Sequence, residues 1–223
     1  GCVGASAAFH LTRRGERVVL LERGHVASGA TGHSGAIVRQ YYESRVGIRL
    51  ARRSLAFFQR FEDETGVACD FRATGFLSGT RVRDEPAFDH LFSLLKSEGV
   101  RVERLAPEEV RAIEPHLEVS DYAAVAYDPD AGYADPTATA TGLVRAAQNE
   151  GATVLEGLEA RTIMLRKAGV TGVRTRKGII ASGRILLATG NWTPALAATL
   201  GIRIPVRFVR GQVAIRRRPV GFE

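Results

Sequence analysis

The sequence predicts an α/β fold, and three stretches of its 223 residues carry that prediction. The chain opens on "GCVG", a glycine turn that runs straight into a small-residue helix, "ASAAFHLTRRG". A short apolar strand follows, "RVVLLE", ending on an acid about 20 residues after the glycines. Towards the far end, glycine-separated runs from "ATVLEG" to "IIASGRILLATG" suggest an antiparallel meander that returns to an apolar strand at residues 185–187. Together these describe a Rossmann-like sheet with a β-meander, of the kind that holds a dinucleotide.

Each residue type in the opening has a physical task. A pyrophosphate is held by backbone N–H groups and the positive end of a helix, so side chains must be absent where it approaches. Gly1 permits that approach and Gly4 lets the helix lie close on the strand, as second and third glycines of a G-x-G-x-x-G turn. The first glycine and its strand are expected upstream of residue 1. Glu22 closes the strand where a carboxylate accepts hydrogen bonds from both ribose hydroxyls, which disfavours a 2′-phosphate. Without its context, "GCVG" is an ordinary glycine turn at a helix start.

Further along, Val46, Leu50, Leu55, Phe58 and Phe61 recur at helical spacing and predict a helix over 43–64. "FRATGFLSGT" alternates as a strand does, and "EPAFDHLFSLLKSEG" reads as a helix with a glycine stop. A strand in "VRVERL" and a short helix in "APEEVRAIEPHL" come next, the latter with Pro107 in its first turn. "DPTATATGLVRAAQNEG" is a helix opened by an Asp135–Pro136 cap. "TPALAATLG" is another short helix, and "IPVRFVRGQVAIRRR" begins new strands. The order argues for one compact body with a second layer rather than two linked domains.

Composition narrows the function classes. Hydrophobic residues make up 45% and charged residues 25%, ordinary for a globular chain, and no run is long enough to cross a membrane. Cys2 and Cys69 give neither a disulfide framework nor metal-ligand spacing, so a reducing, cytoplasmic setting is expected. The net charge of +7 comes from arginines scattered along the chain, with only "RRR" at 216–218 as a dense run. No aromatic-interleaved basic motif accompanies it, so nucleic acid is not the expected partner.

The loop after Glu22, "RGHVASGATGHSGAIVRQYY", is rich in glycine and hydroxyl groups where an NAD dehydrogenase would run into another β-α unit. Here the sequence resembles the FAD-dependent amine oxidoreductases of the D-amino-acid oxidase superfamily, most of all the sarcosine oxidase β-subunit and dimethylglycine dehydrogenase branch. The matching segments also include "DFRATGFL", "AGYADPTATATGLVRAAQNEGATVLEG", "ILLATGNWTPALAATLGIRIPV" and "VRGQVAI". They run in the family's order across nearly the whole chain.

The resemblance implies a glutathione-reductase-type FAD-binding fold and assigns roles by position. Gly1, Gly4, Glu22 and Arg23 fit the adenosine and pyrophosphate site. The turn Ser28–Ala36, with Thr31, Gly32, His33, Ser34 and Gly35, fits the segment that wraps the pyrophosphate, ribityl chain and isoalloxazine edge. Ala160 falls where the family makes a backbone contact to adenine, and Gly190 where the returning strand nears the cofactor. A plain meander residue and a turn glycine are the alternatives for those two. His33 matches a histidine that bonds covalently to flavin in dimethylglycine dehydrogenase relatives, although Gly32 stands where those carry Trp. A noncovalent polar neighbour of the flavin and an exposed loop histidine are its other readings. Arg39 is the expected active-site charge, for a substrate carboxylate or reduced flavin, with a surface salt bridge as its alternative. Tyr41 and Tyr42 line the flavin face or pack under the long helix, and Asp135 reads as an N-cap.

The implied reaction is oxidation of the C–N bond of a small amine or amino acid, by hydride transfer to flavin N5, with partner subunits or an electron acceptor in attendance. A noncatalytic flavin-binding subunit and an NAD-dependent dehydrogenase are the competing classes. The implied domains are FAD-binding over 1–80 and 136–202, an inserted cap segment over 81–135, and the start of a substrate-domain sheet over 203–223. The chain is expected to be an excerpt of a longer protein, cut at both ends, that binds FAD poorly alone.

Overall fold

The structure is a computed structural model that describes residues 1–167, 169–209, 211, 212 and 217. In chain order its elements begin with α1 (Cys2–Thr12), β1 (Val19–Leu21), β2 (Ile37–Val38), α2 (Arg45–Phe58), α3 (Phe61–Thr65) and β3 (Phe76–Thr80). Next come α4 (Glu85–Ser97), β4 (Glu103–Leu105), α5 (Pro107–Ile113), β5 (Ala124–Asp128) and β6 (Gly132–Tyr133). Then follow α6 (Pro136–Asn149), β7 (Thr153–Leu155), β8 (Thr162–Arg166), β9 (Gly169–Thr175), β10 (Gly178–Ala181) and α7 (Thr193–Ala198).

These elements form two compact units instead of the single body the element order suggests. The first draws on Gly1–Gly35, Thr65–Cys69 and the described chain from Asp135 onward; the second draws on Ala36–Glu64 and Asp70–Ala134. Each is assembled from segments far apart in sequence, which is why a linear pass finds no linker between them.

In the first unit β1 and β7 pair in parallel, with Leu20 opposite Val154 and Leu21 opposite Leu155. A helix precedes each strand, and these helices, α1 and α6, pack on one another. Small side chains make that possible: Ala5 and Ala8 are buried on α1, and Ala140 and Ala147 on α6. A methyl on Gly4 would stand 3.3 Å from the Ala188 Cβ and 3.6 Å from Leu20 Cδ1, so its missing side chain sets the close helix–strand approach. Asp135 caps α6 by accepting the Ala138 N–H at 2.6 Å, with Pro136 in the first turn. Strands β8, β9 and β10 form the antiparallel meander, β9 central.

The anticipated strand at 185–187 is absent. Among the described residues no segment pairs with that run, and apolar character cannot supply the ladder partner that defines a strand. Residues 203–209 are likewise irregular. Most of the anticipated new sheet over 203–223 lies outside the described residues.

In the second unit β5 is the middle strand of an antiparallel sheet, between β3 and β4, and Phe76 of β3 stands opposite Asp128. Alternation along β5 serves two cores. Ala124 and Ala126 join Ile48 of α2 and Phe88 and Leu95 of α4, while Val125 joins Val110 of α5 and Val119. The helix anticipated over 43–64 is two, α2 and α3, separated after Phe58. Glu98, just past α4, ties the two long helices together: it accepts from Arg45 Nη1 and Arg49 Nε, each at 2.6 Å. Strands β2 and β6 pair antiparallel, Val38 opposite Gly132. A Cβ on Gly132 would collide with the Arg72 carbonyl oxygen, so only glycine fits there.

Candidate functional site

The end of β1 is where the first unit gathers the residues singled out in the sequence. Glu22 follows the strand and is held by its main chain, donating to the Leu155 carbonyl and accepting from the Leu158 N–H, both at 2.9 Å. Its side chain is 24% exposed, and Oε1 accepts the Gly24 N–H at 2.8 Å. Oε2 lies 4.0 Å from the Gly1 nitrogen and accepts no hydrogen bond among the described residues. One carboxylate oxygen is therefore spoken for and the other is open, at a strand tip beside the start of α1.

Gly1 is the N-cap of α1. A Cβ there would stand 2.6 Å from Thr31 Oγ1, which accepts the Cys2 N–H at 3.0 Å. Thr31 thus caps the helix from the loop and keeps its own hydroxyl proton for another acceptor.

The loop is a chain of tight turns. Ser28 donates its N–H to the His25 carbonyl at 3.0 Å, Gly32 to Ala27 at 3.0 Å and Ser34 to Thr31 at 3.1 Å. A Cβ on Gly32 would collide with the Ala27 carbonyl oxygen, which makes this glycine obligatory. The amides of Gly29, Ala30, His33 and Gly35 make no hydrogen bond among the described residues. His33 is exposed, and its Nδ1–H donates to the Gly29 carbonyl at 2.9 Å, which orients the ring. A side chain on Gly35 would meet open space. Ala27 has a φ of 64°, left-handed and costly for a residue with a Cβ. Strain of that type concentrates at functional loops. In the second unit Ala36 has the same φ, and its carbonyl accepts the Ala134 N–H at 3.1 Å.

Arg23 stacks on Trp192, its guanidinium carbon 3.8 Å from the ring centroid. Gly190 opens the one-turn 3₁₀ helix that carries Trp192, with φ of 51°, a conformation that favours glycine. Ala160 lies two residues beyond Leu158, just before β8, and its amide makes no hydrogen bond among the described residues. Glu156 stands outside the site residues that the sequence motifs single out. It follows β7 as Glu22 follows the paired β1, and it accepts the Val26 N–H at 2.6 Å, anchoring the start of the loop. The signal was present in the parallel endings "VLLERG" and "TVLEG".

In the second unit Arg39 is half-buried over two rings, 4.9 Å from the centroid of Phe76 and 5.6 Å from that of Tyr42. Among the described residues no carboxylate lies within ion-pair distance of it. Tyr41 packs against the α4 core, and burial pushes its hydroxyl pKa up against the opposing pull of Ser78 and Arg39. Next to Arg39, Gln40 bonds the buried Asp128 carboxylate with both its main chain and its side chain. Burial raises the Asp128 pKa, and the hydrogen bonds from Gln40, Asp130 and Ala131 draw it back down. No cluster of metal-ligating side chains occurs among the described residues, and neither cysteine forms a disulfide among them.

A family model described as "DAO: FAD dependent oxidoreductase" matches residues 1–221. The chain belongs to this family. It is 30% identical over 210 residues to the 4-methylaminobutanoate oxidase (formaldehyde-forming) of Paenarthrobacter nicotinovorans, covering 92% of this chain and 25% of that protein. It is 30% identical over 233 residues to the mitochondrial sarcosine dehydrogenase of Homo sapiens, covering 100% of this chain and 25% of that one. Among solved structures, the L-proline dehydrogenase from P. horikoshii is similar with a TM-score of 0.85 and 30% identity, over 91% of this chain and 54% of its own. The DAO chain thus spans about a quarter of the length of these curated relatives.

The first unit fits the family's cofactor, FAD, on its own geometry. Gly1 and Gly4 carry no side chain at the start of α1, Glu22 Oε2 is open to sugar hydroxyls, and the amides of Gly29, Ala30, His33 and Gly35 have no acceptor among the described residues. Glu22, Thr31 and the Ser28–Gly35 turn are the residues that would hold it.

Proposed function

We propose that this DAO chain is part of an enzyme that oxidises the C–N bond of a small amino acid or amine of the sarcosine or dimethylglycine type. FAD, when bound, supplies the hydride acceptor. The protein's own contribution is orientation and charge. Glu22 and the glycine turn seat the adenosine half, and the Ser28–Ala36 loop replaces water around the rest. Arg39 carries the substrate reading. A half-buried guanidinium stacked on Phe76 and Tyr42, with no carboxylate of the described chain beside it, is an anion site waiting for a ligand. It grips the substrate carboxylate; the substrate's amine is oxidised to an imine, which water then hydrolyses to a carbonyl compound and an amine. His33 acts as a noncovalent polar neighbour of the cofactor, its ring orientation set by Gly29.

The alternatives have less behind them. An NAD-dependent dehydrogenase does not fit a family that is FAD dependent. A silent flavin-binding subunit has no use for a half-buried cation such as Arg39, which no carboxylate among the described residues reaches. The deciding experiment adds N-methylglycine or N,N-dimethylglycine to the full-length protein under anaerobic conditions. The protein should be isolated yellow, and its flavin absorbance should bleach with these compounds and not with NAD. A colourless protein, or a flavin that no amino acid bleaches, sinks the proposal.

A further inference from the structure

We infer that Asp128 is a positioning residue for substrate recognition: its carboxylate fixes Arg39 by gripping the next residue in the chain, at the ladder position opposite the ring beneath the guanidinium. The inference rests on the reading of Arg39 as the carboxylate-binding cation.

Asp128 is only 2% exposed, at the last position of β5. Its Oδ1 accepts the N–H groups of Asp130 and Ala131, each at 3.2 Å, which is what a turn-forming aspartate does. The rest of its bonding is directed elsewhere. The Gln40 N–H donates to Oδ2 at 3.2 Å, and Gln40 Nε2 donates to Oδ1 at 3.2 Å and to Oδ2 at 3.4 Å. A turn needs none of these, and burying a carboxylate is costly unless its lone pairs are taken up. Three contacts from one residue lock the backbone between Arg39 and Tyr41.

Arg39 is referenced to Asp128 by a second route. Its guanidinium lies over Phe76, and Phe76 is the residue directly opposite Asp128 in the β3–β5 ladder. The peptide that carries the cation and the ring that supports it are thus both anchored at one buried position. A free arginine samples many rotamers, and an anion must order it on binding. Here the ordering is done by the fold before any ligand arrives, which raises affinity without adding a contact.

The test uses the full-length, FAD-loaded protein with acetate as a probe that has a carboxylate and no amine, its binding measured by titration calorimetry. Asp128→Asn should weaken acetate about tenfold where Arg39 is intact, and by less than about twofold in an Arg39→Ala background. With N-methylglycine, KM should rise by the same factor while kcat and flavin content hold. Should Asp128→Asn fail to fold, Gln40→Met, which removes only the side-chain donor, decides through a smaller loss with the same dependence on Arg39. Equal losses with and without Arg39, or none, overturn the inference. If Arg39→Ala binds acetate as tightly as the wild type, or the wild type binds none, the carboxylate reading itself fails and takes the inference with it.

Discussion

On the proposed function, the two units solve recognition in opposite ways. In the first, the Glu22 region and its loop are built from main chain: Gly1, Gly4 and Gly32 are needed because side chains would be in the way. In the second, Arg39, Gln40, Phe76 and Asp128 act through what their side chains hold. The cradle is broken by adding atoms and the cluster by removing them. On the proposed function the difference follows from the targets: a pyrophosphate is met by amides every residue possesses, whereas a carboxylate in a half-buried place needs one charge in one position.

Mutations in the first unit should show this asymmetry most strongly. Gly32→Ala adds one methyl against the Ala27 carbonyl oxygen and should cost about 3 kcal/mol, read as a lowered urea midpoint together with lost FAD binding. A full-length variant with unchanged stability would refute the claim that this turn tolerates no added atom. Glu22→Gln removes no bulk and keeps an acceptor for Gly24. It should leave stability nearly unchanged but weaken FAD about tenfold, measured by flavin fluorescence quenching, because a hydrogen bond to a charge is lost. An equal drop in stability would mean that Glu22 serves the fold more than the cofactor.

The smallest expected effect lies in the second unit and depends on pH. Arg49 and Arg45 hold the Glu98 carboxyl below its ordinary range. A lowered folded-state pKa contributes stability that is fully present above the unfolded value and is lost as pH falls through the folded one. Glu98→Gln should therefore flatten the acid limb of the stability–pH curve, with little left of the difference at high salt. The Gly32 defect, being steric, should stay constant across the same range.

What the sequence made legible follows the same division. Gly1, Gly4, Glu22 and the cap at Asp135 stand at the ends of elements, and each announces itself by residue type at a fixed spacing. Strand β5, "AVAYD", was not read, because alanines facing two cores give neither an alternating pattern nor strong strand propensity. Missing it hid Asp128, 88 residues from the Gln40 it holds. Arg39 was found by its neighbours in the motif, but its aromatic bed at Phe76 depends on a ladder register no local pattern encodes. The run at 185–187 is the opposite case: it has the hydrophobic character of a strand and no ladder partner among the described residues.

Trp192 is the chain's sole tryptophan, half exposed and stacked under the Arg23 guanidinium. Its emission is consequently a built-in optical gauge of the residue that follows Glu22. Near-ultraviolet excitation reads the state of the β1 tip with no dye attached and no background from a second indole within these residues.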